Sequence, residues 1–422
     1  MKQPLPPLCY WSQVLFLFAA LLSFTACHDQ VESTFTYHIK VPVDIETSVF
    51  REMNVGQVPA RVINETGKIY IYDDFLFVSE PEEGIHVIDN SDPANPQNIS
   101  FIEIPGTADL AINDDILYAD SYIDLLAFDI GNPFHVTLSK RIEDVFMNYY
   151  SNPEAGTFVI YKDTVITTTE PQRRWGWGGP VTWLESASAD YSGAGDGNYG
   201  QGGSLARFTL ANGLLYTVDN FDLRLFDVSE KANPEFVKKL HLGWGIETIF
   251  PFKDKLFIGS TTGMHIYDIS SPTEPEMLSI YAHLTSCDPV VANDDHAFVT
   301  LRSGNLCQQG VDLLEVLDIS DPSQPELLKS YPMENPHGLG LSGENLFVCE
   351  GKFGLKSFKI NDVMNIDQNQ MQHLKNLNAI DLIPGPKSLI VIGSNVICQY
   401  DYSTPSELKK LSCIEIKREQ LY

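Results

Sequence analysis

Basic residues are scarce in this 422-residue chain, which has 28 lysines and arginines against 56 aspartates and glutamates. The formal net charge at pH 7 is therefore −28. A surface of this sign repels phosphate backbones, so we expect no nucleic-acid partner, and it also disfavours a position flat on anionic lipid. Charged residues make up only 20% of the chain, which suits a well-packed protein rich in β-strands.

The sequence also lacks the short motifs of common enzyme classes. It contains no Gly-x-Ser-x-Gly elbow, no phosphate-binding loop, no sialidase Asp-box, no EF-hand loop, no Cys-x-x-Cys pair and no paired-histidine motif. The Gly-His and Trp-Asp markers of WD repeats are missing as well. These absences leave no catalytic constellation that the sequence supports.

Long apolar runs are lacking too, and the N-terminal one, Val14–Leu22, is too short to cross a membrane comfortably as a helix. The residues that follow it end in Ala26 and Cys27 and resemble a bacterial lipobox in which Phe24 replaces the usual leucine. This resemblance implies cleavage before Cys27 and lipidation of that cysteine; an ordinary signal peptide or a buried cysteine are the alternatives. We therefore predict a lipoprotein signal peptide at 1–26 and a tether with a lead-in strand at 27–64.

The chain does contain a repeat, a short apolar strand that ends in Asp and leads into a proline-containing turn. The residues at the marker position are Asp89, Asp129, Asp227, Asp268, Asp318, Lys359 and Asp401. Four of the six gaps between markers are 40 to 42 residues, and the other two, 98 and 50, are read as the same period with insertions. A fixed period in this range is the signature of a repeat fold.

Each repeat unit reads as four short strands joined by turns rich in Asn, Asp and Gly, which predicts a four-stranded antiparallel meander. Meanders of about 40 residues repeated radially are propeller blades. The sequence therefore predicts an all-β fold, a seven-bladed β-propeller over 65–422. Residues 157–169 also read as a strand, which leaves an eighth, irregular blade open. The marker Asp is expected to accept backbone N–H bonds in the turn, where the prolines end the strand.

The pattern of apolar residues, Asp, Ile or Val, Ser and two prolines three apart resembles the LVIVD-repeat proteins. Further stretches that look like that family are Gly67–Tyr70, Gly84–Asn90, Tyr118–Tyr122, Gly245–Phe250, Cys287–Val291, Leu301–Ser303 and Asn335–Leu339. The resemblance covers roughly 65–416 and implies an extracellular β-propeller lipoprotein of the type frequent in Bacteroidetes. It implies a place in the bacterial cell envelope, at the outer membrane, and it carries over no catalytic residue.

Five of the seven cysteines lie after Cys27. Cys287 and Cys307 flank one predicted hairpin, so outside the cytoplasm they predict a disulfide, with two small buried hydrophobic residues as the alternative. The remaining three, at 349, 398 and 413, lie in strand-like runs and are predicted to be core residues.

Polar residues at the starts of the inner strands predict a ligand site at the rim of the central channel. The predicted rim residues are Asp109, Arg207, Glu247, Asp288, His337 and Asp381. Acids with one histidine could hold a cation, such as a channel calcium, or a polar ligand. The alternative is that these side chains only solvate the channel and cap turns. Apart from that calcium, we expect no cofactor.

A second candidate is the Gly- and Trp-rich insertion at about 170–203. Its predicted binding residues are Arg173, Arg174, Trp175, Trp177, Trp183 and Tyr191. Exposed aromatic residues on loops suit stacking on sugars or anchoring a partner. The alternatives are a mobile loop that folds onto a blade, and local ion pairing of the two arginines. Trp244, by contrast, is expected to pack between blades.

Together these features predict a lipid-anchored, non-catalytic binding module whose partner is a glycan, a peptide or an envelope protein. The membrane would be contacted through the lipid alone. The alternative is a metal-dependent hydrolase or lyase with its site at the mouth of the channel.

Overall fold

The computed structural model describes residues 35–146, 152, 154–168, 201–202, 204–282, 289–303 and 311–417. The chain divides into two compact units, one of Met1–Ile45 with Val159–Pro180 and one of Glu46–Phe158 with Val181–Tyr422. In the first unit, strand β1 (Phe35–Glu46) pairs with β11 (Thr157–Thr168) in a two-stranded sheet. The second unit contains a propeller of seven four-stranded antiparallel blades, so the predicted all-β fold is confirmed.

In the sequence, blades 1 and 2 precede the insertion and blade 3 follows it. Blade 1 consists of β3 (Ile69–Tyr72), β4 (Phe75–Glu80), β5 (Gly84–Asp89) and β6 (Gln97–Glu103). Blade 2 consists of β7 (Leu110–Asn113), β8 (Ile116–Ser121), β9 (Asp124–Asp129) and β10 (Thr137–Ile142). Blade 3 consists of β13 (Phe208–Ala211), β14 (Leu214–Val218), β15 (Asp222–Asp227) and β16 (Glu235–His241).

The last four blades follow in chain order. Blade 4 consists of β17 (Ile246–Phe252), β18 (Lys255–Ser260), β19 (Gly263–Asp268) and β20 (Glu276–Ala282). Blade 5 consists of β21 (Val290–Ala292), β22 (His296–Leu301), β23 (Leu313–Asp318) and β24 (Glu326–Pro332). Blade 6 consists of β25 (Leu339–Ser342), β26 (Asn345–Cys349), β27 (Leu355–Lys359) and β28 (Gln370–Leu374). Blade 7 consists of β29 (Ala379–Pro384), β30 (Leu389–Gly393), β31 (Val396–Asp401) and β32 (Lys409–Glu415).

Two further strands extend blade 1 beyond its four. Strand β2 (Gly56–Pro59) pairs with the outer strand β6, and β12 (Gln201–Gly202) pairs with the inner strand β3. The described helices are short, an α-helix, α1 (Thr47–Arg51), and a 3-10 helix at Val363–Asn369. Within the described residues, no helix has the length and apolarity needed to cross a membrane.

Burial follows the order of the strands within each blade. The inner strands β7 and β13 are buried at every residue, because each has blades packed on both of its faces. The outer strand β16 is mostly exposed and carries Lys238 and Lys239, and such charges protect an unpaired sheet edge from pairing with another chain. The apolar core therefore lies between blades and towards the centre of the ring.

The repeat markers perform the predicted local role. In six blades the marker carboxylate accepts a hydrogen bond from the backbone N–H two residues later, at 2.8 to 2.9 Å. Such Asx turns fix the reversal between the third and fourth strands. Blade 6 has Lys359 at the marker, and Asp362 accepts the N–H of Met364 there, at 3.1 Å, at the start of the 3-10 helix.

The same turns also join each blade to its neighbour. At every junction, a side chain of one blade donates a hydrogen bond to the backbone carbonyl four residues after the marker of the next blade. The donor–acceptor pairs are Gln57–Pro133, Tyr118–Lys231, Tyr216–Pro272, Ser279–Pro322, Tyr331–Val363, Ser357–Pro405 and Ser412–Pro93. The recurring turn is therefore both a strand terminator and the acceptor of a contact between blades.

The ring closes by packing of blade 7 against blade 1. Blade 7 draws all four of its strands from the C-terminal part of the chain. Isoleucines of the two blades form one cluster, and the amides of Asn90 and Gln399 bond reciprocally at 3.1 and 2.6 Å. The N–H of Lys417 donates to the carbonyl of Ile63 at 2.8 Å, so the last described residue is tied to the segment that precedes β3.

One open alternative is excluded and one local prediction is wrong. Residues 157–168 form β11, paired with β1, and do not build an eighth blade. Cys398 and Cys413 are not two independent core residues, because they form a disulfide across β31 and β32. Cys349 is buried and free, as a core residue should be. The predicted pair Cys287 and Cys307 lies outside the described residues, and so do Cys27 and the proposed signal peptide at 1–26.

Candidate functional site

The centre of the ring is crossed by the residues that follow the insertion, Ser204–Arg207, which we call the axial segment. Its hydroxyl at Ser204 donates to Asp381 of blade 7 at 3.2 Å and accepts the N–H of Leu339 of blade 6 at 2.9 Å. Ser204 is 1% exposed. The segment is therefore fastened to two blades at its first residue.

The remainder of the axial segment contacts four more blades. Lys68, just before blade 1, donates its ammonium to the carbonyl of Leu205, and the N–H of Arg207 donates to the Asp109 carboxylate next to blade 2. The N–H of Ile249 in blade 4 donates to the carbonyl of Ala206 at 2.9 Å. The carbonyl of Arg207 accepts the N–H of Val218 in blade 3 at 2.8 Å. Short backbone and side-chain bonds thus hold this segment to six of the seven blades.

Four of the six predicted rim residues come together electrostatically around this segment. The charge of Lys68 interacts with those of Asp109, Arg207, Glu247 and Asp381. Lys68, Asp109 and Asp381 are buried. The sequence predicted these four residues but not Lys68, which directly precedes the first inner strand. The signal for Lys68 is that a ring of buried acids needs a nearby cation to balance its charge.

Burial shifts the titration of the charged groups at the axis. It lowers the pKa of Lys68 to about 8, with the charge of Arg207 acting in the same direction. It raises the pKa of the Asp109 carboxyl, and it raises the pKa of Asp120 to about 6, helped by the neighbouring charge of Asp109. Asp120 accepts the N–H groups of Ala108 and Asp109 at 2.7 and 2.9 Å.

His337, a fifth predicted rim residue, bonds to other partners. Its Nε2 lies 3.3 Å from Nη1 of Arg302 and 3.0 Å from Nδ2 of Asn335. Burial and the charge of Arg302 lower the pKa of His337 to about 3, so the ring is neutral near pH 7 and Nε2 accepts from these donors. Next to it, a Cβ on Gly338 would lie 1.7 Å from Oδ1 of Asp381, so only glycine fits between these groups.

The axial arrangement does not favour a bound cation. The ammonium of Lys68 and the guanidinium of Arg207 already supply positive charge among Asp109, Glu247 and Asp381. A metal ion there would meet two like charges at close range. The sixth rim residue, Asp288, lies outside the described residues, so a channel calcium stays a prediction.

The described residues contain one group with metal-ligand character, Glu334, Glu350 and His373, whose ligand atoms lie within 4.8 Å of one another. Its polar atoms have partners already. Nζ of Lys356 is 2.6 Å from Oε2 of Glu350 and 3.7 Å from Oε2 of Glu334. Nε2 of His373 lies 2.8 Å from the carbonyl of Phe353, so it carries the proton and donates. The ammonium takes the place that a metal ion would occupy.

The chain leaves blade 2 after the outer strand β10 and forms β11 before the insertion at about 170–203. After the insertion it is described again at β12, which pairs with the inner strand β3 of blade 1. The predicted binding residues of the insertion, Arg173, Arg174, Trp175, Trp177, Trp183 and Tyr191, all lie outside the described residues. Trp244 is 68% exposed, so the expectation that it packs between blades is wrong.

Comparisons with known proteins agree with the repeats and the fold. The family model described as the LVIVD repeat matches residues 65–101, 256–283 and 311–332, which fall in blades 1, 4 and 5. No curated protein matches the sequence.

Several solved structures are similar in fold. The computationally designed Ika8 protein is 10% identical, with a TM-score of 0.48, and the match covers 84% of this chain and 89% of that one. Hsv2 from Kluyveromyces lactis is 12% identical, with a TM-score of 0.47 and coverage of 83% and 99%. BamB from Moraxella catarrhalis is 8% identical, with a TM-score of 0.47 and coverage of 85% and 95%. At this identity, the similarities carry no conclusion about function.

The resemblance drawn from the strand-and-turn pattern is thereby confirmed. The chain is a seven-bladed β-propeller that contains LVIVD repeats in blades 1, 4 and 5.

Proposed function

We propose that the protein is a lipid-anchored β-propeller of the bacterial cell envelope, at the outer membrane, that acts as a non-catalytic binding module for a glycan, a peptide or an envelope protein. The observation that carries this proposal is the attachment of the insertion. Residues 169–200, between β11 and β12, hold three of the five tryptophans, and β12 attaches their C-terminal end to the inner strand of blade 1. Rigid scaffolds that display such loops use them for recognition.

The axis of the ring supports a binding role over a catalytic one. Its buried acids are compensated by Lys68 and Arg207 and bonded to the axial segment, so these carboxylates serve to hold the segment in place. We therefore do not extend the alternative of a metal-dependent hydrolase or lyase into the proposal.

Two observations support the proposed location. The sequence around Cys27 has the lipobox pattern, and the disulfide Cys398–Cys413 is of a kind that persists in oxidising compartments. Metabolic labelling with a palmitate analogue tests the anchor. We expect label on the natural chain and none on Cys27→Ser; equal labelling of both would overturn the lipid anchor.

Capture of partners from an envelope extract tests the binding role. The full chain, purified in a polyoxyethylene detergent, is immobilised beside a triple variant, Trp175→Ala, Trp177→Ala and Trp183→Ala. We expect at least one envelope component to be enriched on the natural chain and reduced about tenfold on the triple variant, since tryptophans at a contact surface contribute much of its binding energy.

Phe134→Ala provides the matched control, because Phe134 is 64% exposed but lies in a turn of blade 2, outside the insertion. It should capture as the natural chain does. Equal capture by the natural chain and the triple variant would remove the insertion as the contact surface, and no enrichment at all would overturn the binding module.

A further inference from the structure

A turn within blade 3 and the connection from blade 3 to blade 4 each expose an aromatic side chain to solvent. Phe221, in the turn between β14 and β15, is 41% exposed, and Trp244, in the connection from β16 to β17, is 68% exposed. Aromatic residues this large are normally packed, and exposing them costs free energy that the fold must supply. Phe221 and Trp244 are therefore candidates for contact with a ligand.

The backbone of the two loops is held in one arrangement. The N–H of Leu242 donates to the carbonyl of Phe221 at 2.8 Å, and the N–H of Gly245 donates to the carbonyl of Asn220 at 2.9 Å. The loops are thus bonded directly to each other. The backbone that carries Phe221 and Trp244 is therefore ordered before any ligand arrives, which reduces the entropy lost on binding.

Each aromatic residue is also supported by its own loop. Trp244 stands between Gly243 and Gly245, whose φ values of 107° and 84° are accessible to glycine and strained for other residues. A Cβ on Gly245 would lie 2.1 Å from Oγ1 of Thr261, so glycine is required there by space as well. In the other loop, the carboxylate of Asp219 accepts the N–H of Phe221 at 2.9 Å.

The charges beside these loops cancel. Arg224 pairs with Asp219 at 2.5 Å and with Asp222 at 3.3 Å, and Lys239 lies 3.4 Å from Asp222. Two carboxylates thus face two permanent cations, with His241 as a further partner of Asp222 at 3.0 Å. The loops form a locally neutral patch on a protein whose net charge is −28, which favours an uncharged ligand over a strongly basic one.

We propose that Phe221 and Trp244 form a platform that binds uncharged sugar rings of a glycan. Sugar rings present apolar C–H faces that stack on aromatic rings, and their hydroxyls can bond to neighbouring polar groups, here His241 and Asp222. In a propeller with this strand order, the turns between second and third strands and the connections between blades emerge on the same face. The platform therefore lies on the face at which β10 ends and β13 begins.

This inference rests on the proposed binding function and names its ligand class. Tetrasaccharides test it: chitotetraose and maltotetraose as neutral probes, and tetragalacturonate as the acidic one. Each is titrated into the full chain in a detergent without a sugar head group, with calorimetry and tryptophan fluorescence as readouts. We expect a neutral tetrasaccharide to bind and tetragalacturonate to bind at least tenfold more weakly.

Variants assign the site. Trp244→Ala and Phe221→Ala should each weaken binding of the neutral tetrasaccharide about tenfold or more, whereas Phe134→Ala, which removes an equally exposed ring on the other face, should leave it unchanged. A site on the platform also predicts that the triple tryptophan variant of the insertion binds the sugar as the natural chain does.

The outcomes separate the platform from the broader function. Sugar binding that survives Trp244→Ala and is lost in the triple variant would overturn the platform and leave the binding module standing. No binding of either neutral probe would overturn the glycan platform. If no sugar binds but Trp244→Ala reduces capture of an envelope protein, Phe221 and Trp244 contact a protein instead. The proposed binding function itself is overturned only if no envelope component is captured.

Discussion

Asp120, a partly buried acid, shows how desolvation and a neighbouring charge change the pKa of a single carboxyl group. Its carboxylate accepts two backbone N–H groups at the start of blade 2, yet burial raises its pKa to about 6 from an ordinary value of 3.8. Hydrogen bonds to the charged form would lower the pKa, so desolvation and the charge of Asp109 outweigh them here.

The raised pKa predicts a pH dependence of stability. Because the folded chain favours the protonated acid, the stabilisation from this group is complete below pH 3.8 and is lost as the pH rises through 6. Relative to Asp120→Asn, the free energy of unfolding of the natural chain should therefore fall by about 2–3 kcal/mol between pH 4 and pH 7. Denaturant unfolding of both proteins at four pH values measures this difference.

Asp268→Asn provides the control. Hydrogen bonds from Ser270 lower the pKa of Asp268 to about 2, so this carboxylate stays ionised over the whole range and its difference curve should be flat. A flat curve for Asp120→Asn as well would contradict the desolvated state of Asp120.

Also for single residues, the sequence predicted roles that depend on neighbours in the chain. It did not predict roles that depend on a residue distant in the chain. The marker acids bond their turns as predicted, because an Asx turn involves only neighbours in the chain. The disulfide of Cys398 depends on Cys413, which lies opposite it on the neighbouring strand. The exposure of Trp244 depends on the conformation of the loop between blades 3 and 4. A local sequence pattern encodes neither arrangement.

Among the elements, the turn between the third and fourth strands has the largest structural role. Its backbone carbonyl four residues after the marker receives a side chain from the preceding blade at all seven junctions. Removing one donor leaves a carbonyl without its partner in a partly buried place, which costs more than an exposed hydrogen bond.

Two serines allow a matched test. Ser279 donates to Pro322 of the next blade at 2.7 Å, whereas Ser323 donates to Asp321 at 2.6 Å within one exposed turn. Ser279→Ala should lower the free energy of unfolding by about 1 kcal/mol, and Ser323→Ala by less than about 0.5 kcal/mol. Thermal unfolding of the two variants compares them. Equal losses of stability in the two variants would show that the hydrogen bond between blades stabilises the fold no more than the exposed one does.

The blades themselves were predictable from the period and the turns, whereas the added strands were not. Strand β2 has only four residues, and β12 has two, too few for a periodic signal. The axial segment was also missed, because Ser204–Arg207 has no motif and acquires its role only through contacts with six blades. Four rim residues were still found, since Asp109 and Arg207 directly precede an inner strand and Glu247 and Asp381 lie within the first three residues of one.

For the whole molecule, the junction of blades 7 and 1 is the place where the chain must close without a covalent link. The disulfide Cys398–Cys413 joins β31 to β32, and β32 carries Ser412, which bonds to Pro93 of blade 1 at 2.6 Å. The outer strand of the closing blade is thus secured to the strand next to it.

We therefore predict that reduction destabilises the ring. Closing a loop of 15 residues by a disulfide stabilises a fold by about 3 kcal/mol. Cys398→Ala with Cys413→Ala should lower the midpoint of thermal unfolding by several degrees, and a phosphine reductant should lower that of the natural chain similarly. Peptide mapping under non-reducing conditions confirms the pairing.

A second pair of variants separates this disulfide from the predicted pair Cys287 and Cys307. Cys287→Ala with Cys307→Ala should retain the response to the reductant that comes from Cys398–Cys413. If the reductant shifts the natural chain but also the Cys398→Ala, Cys413→Ala protein by the same amount, the effect arises elsewhere and this prediction is wrong.

The acceptor at each junction has a consequence for how such chains diverge. Since every amino acid carries a backbone carbonyl, the position can mutate freely while the contact persists, as Lys231 and Val363 show where the other blades have proline. Selection then acts on the spacing from the marker and hardly on the letters. The interval is four residues in all seven blades, including the four in which the LVIVD repeat model finds no match. Distant relatives should be aligned by that four-residue interval.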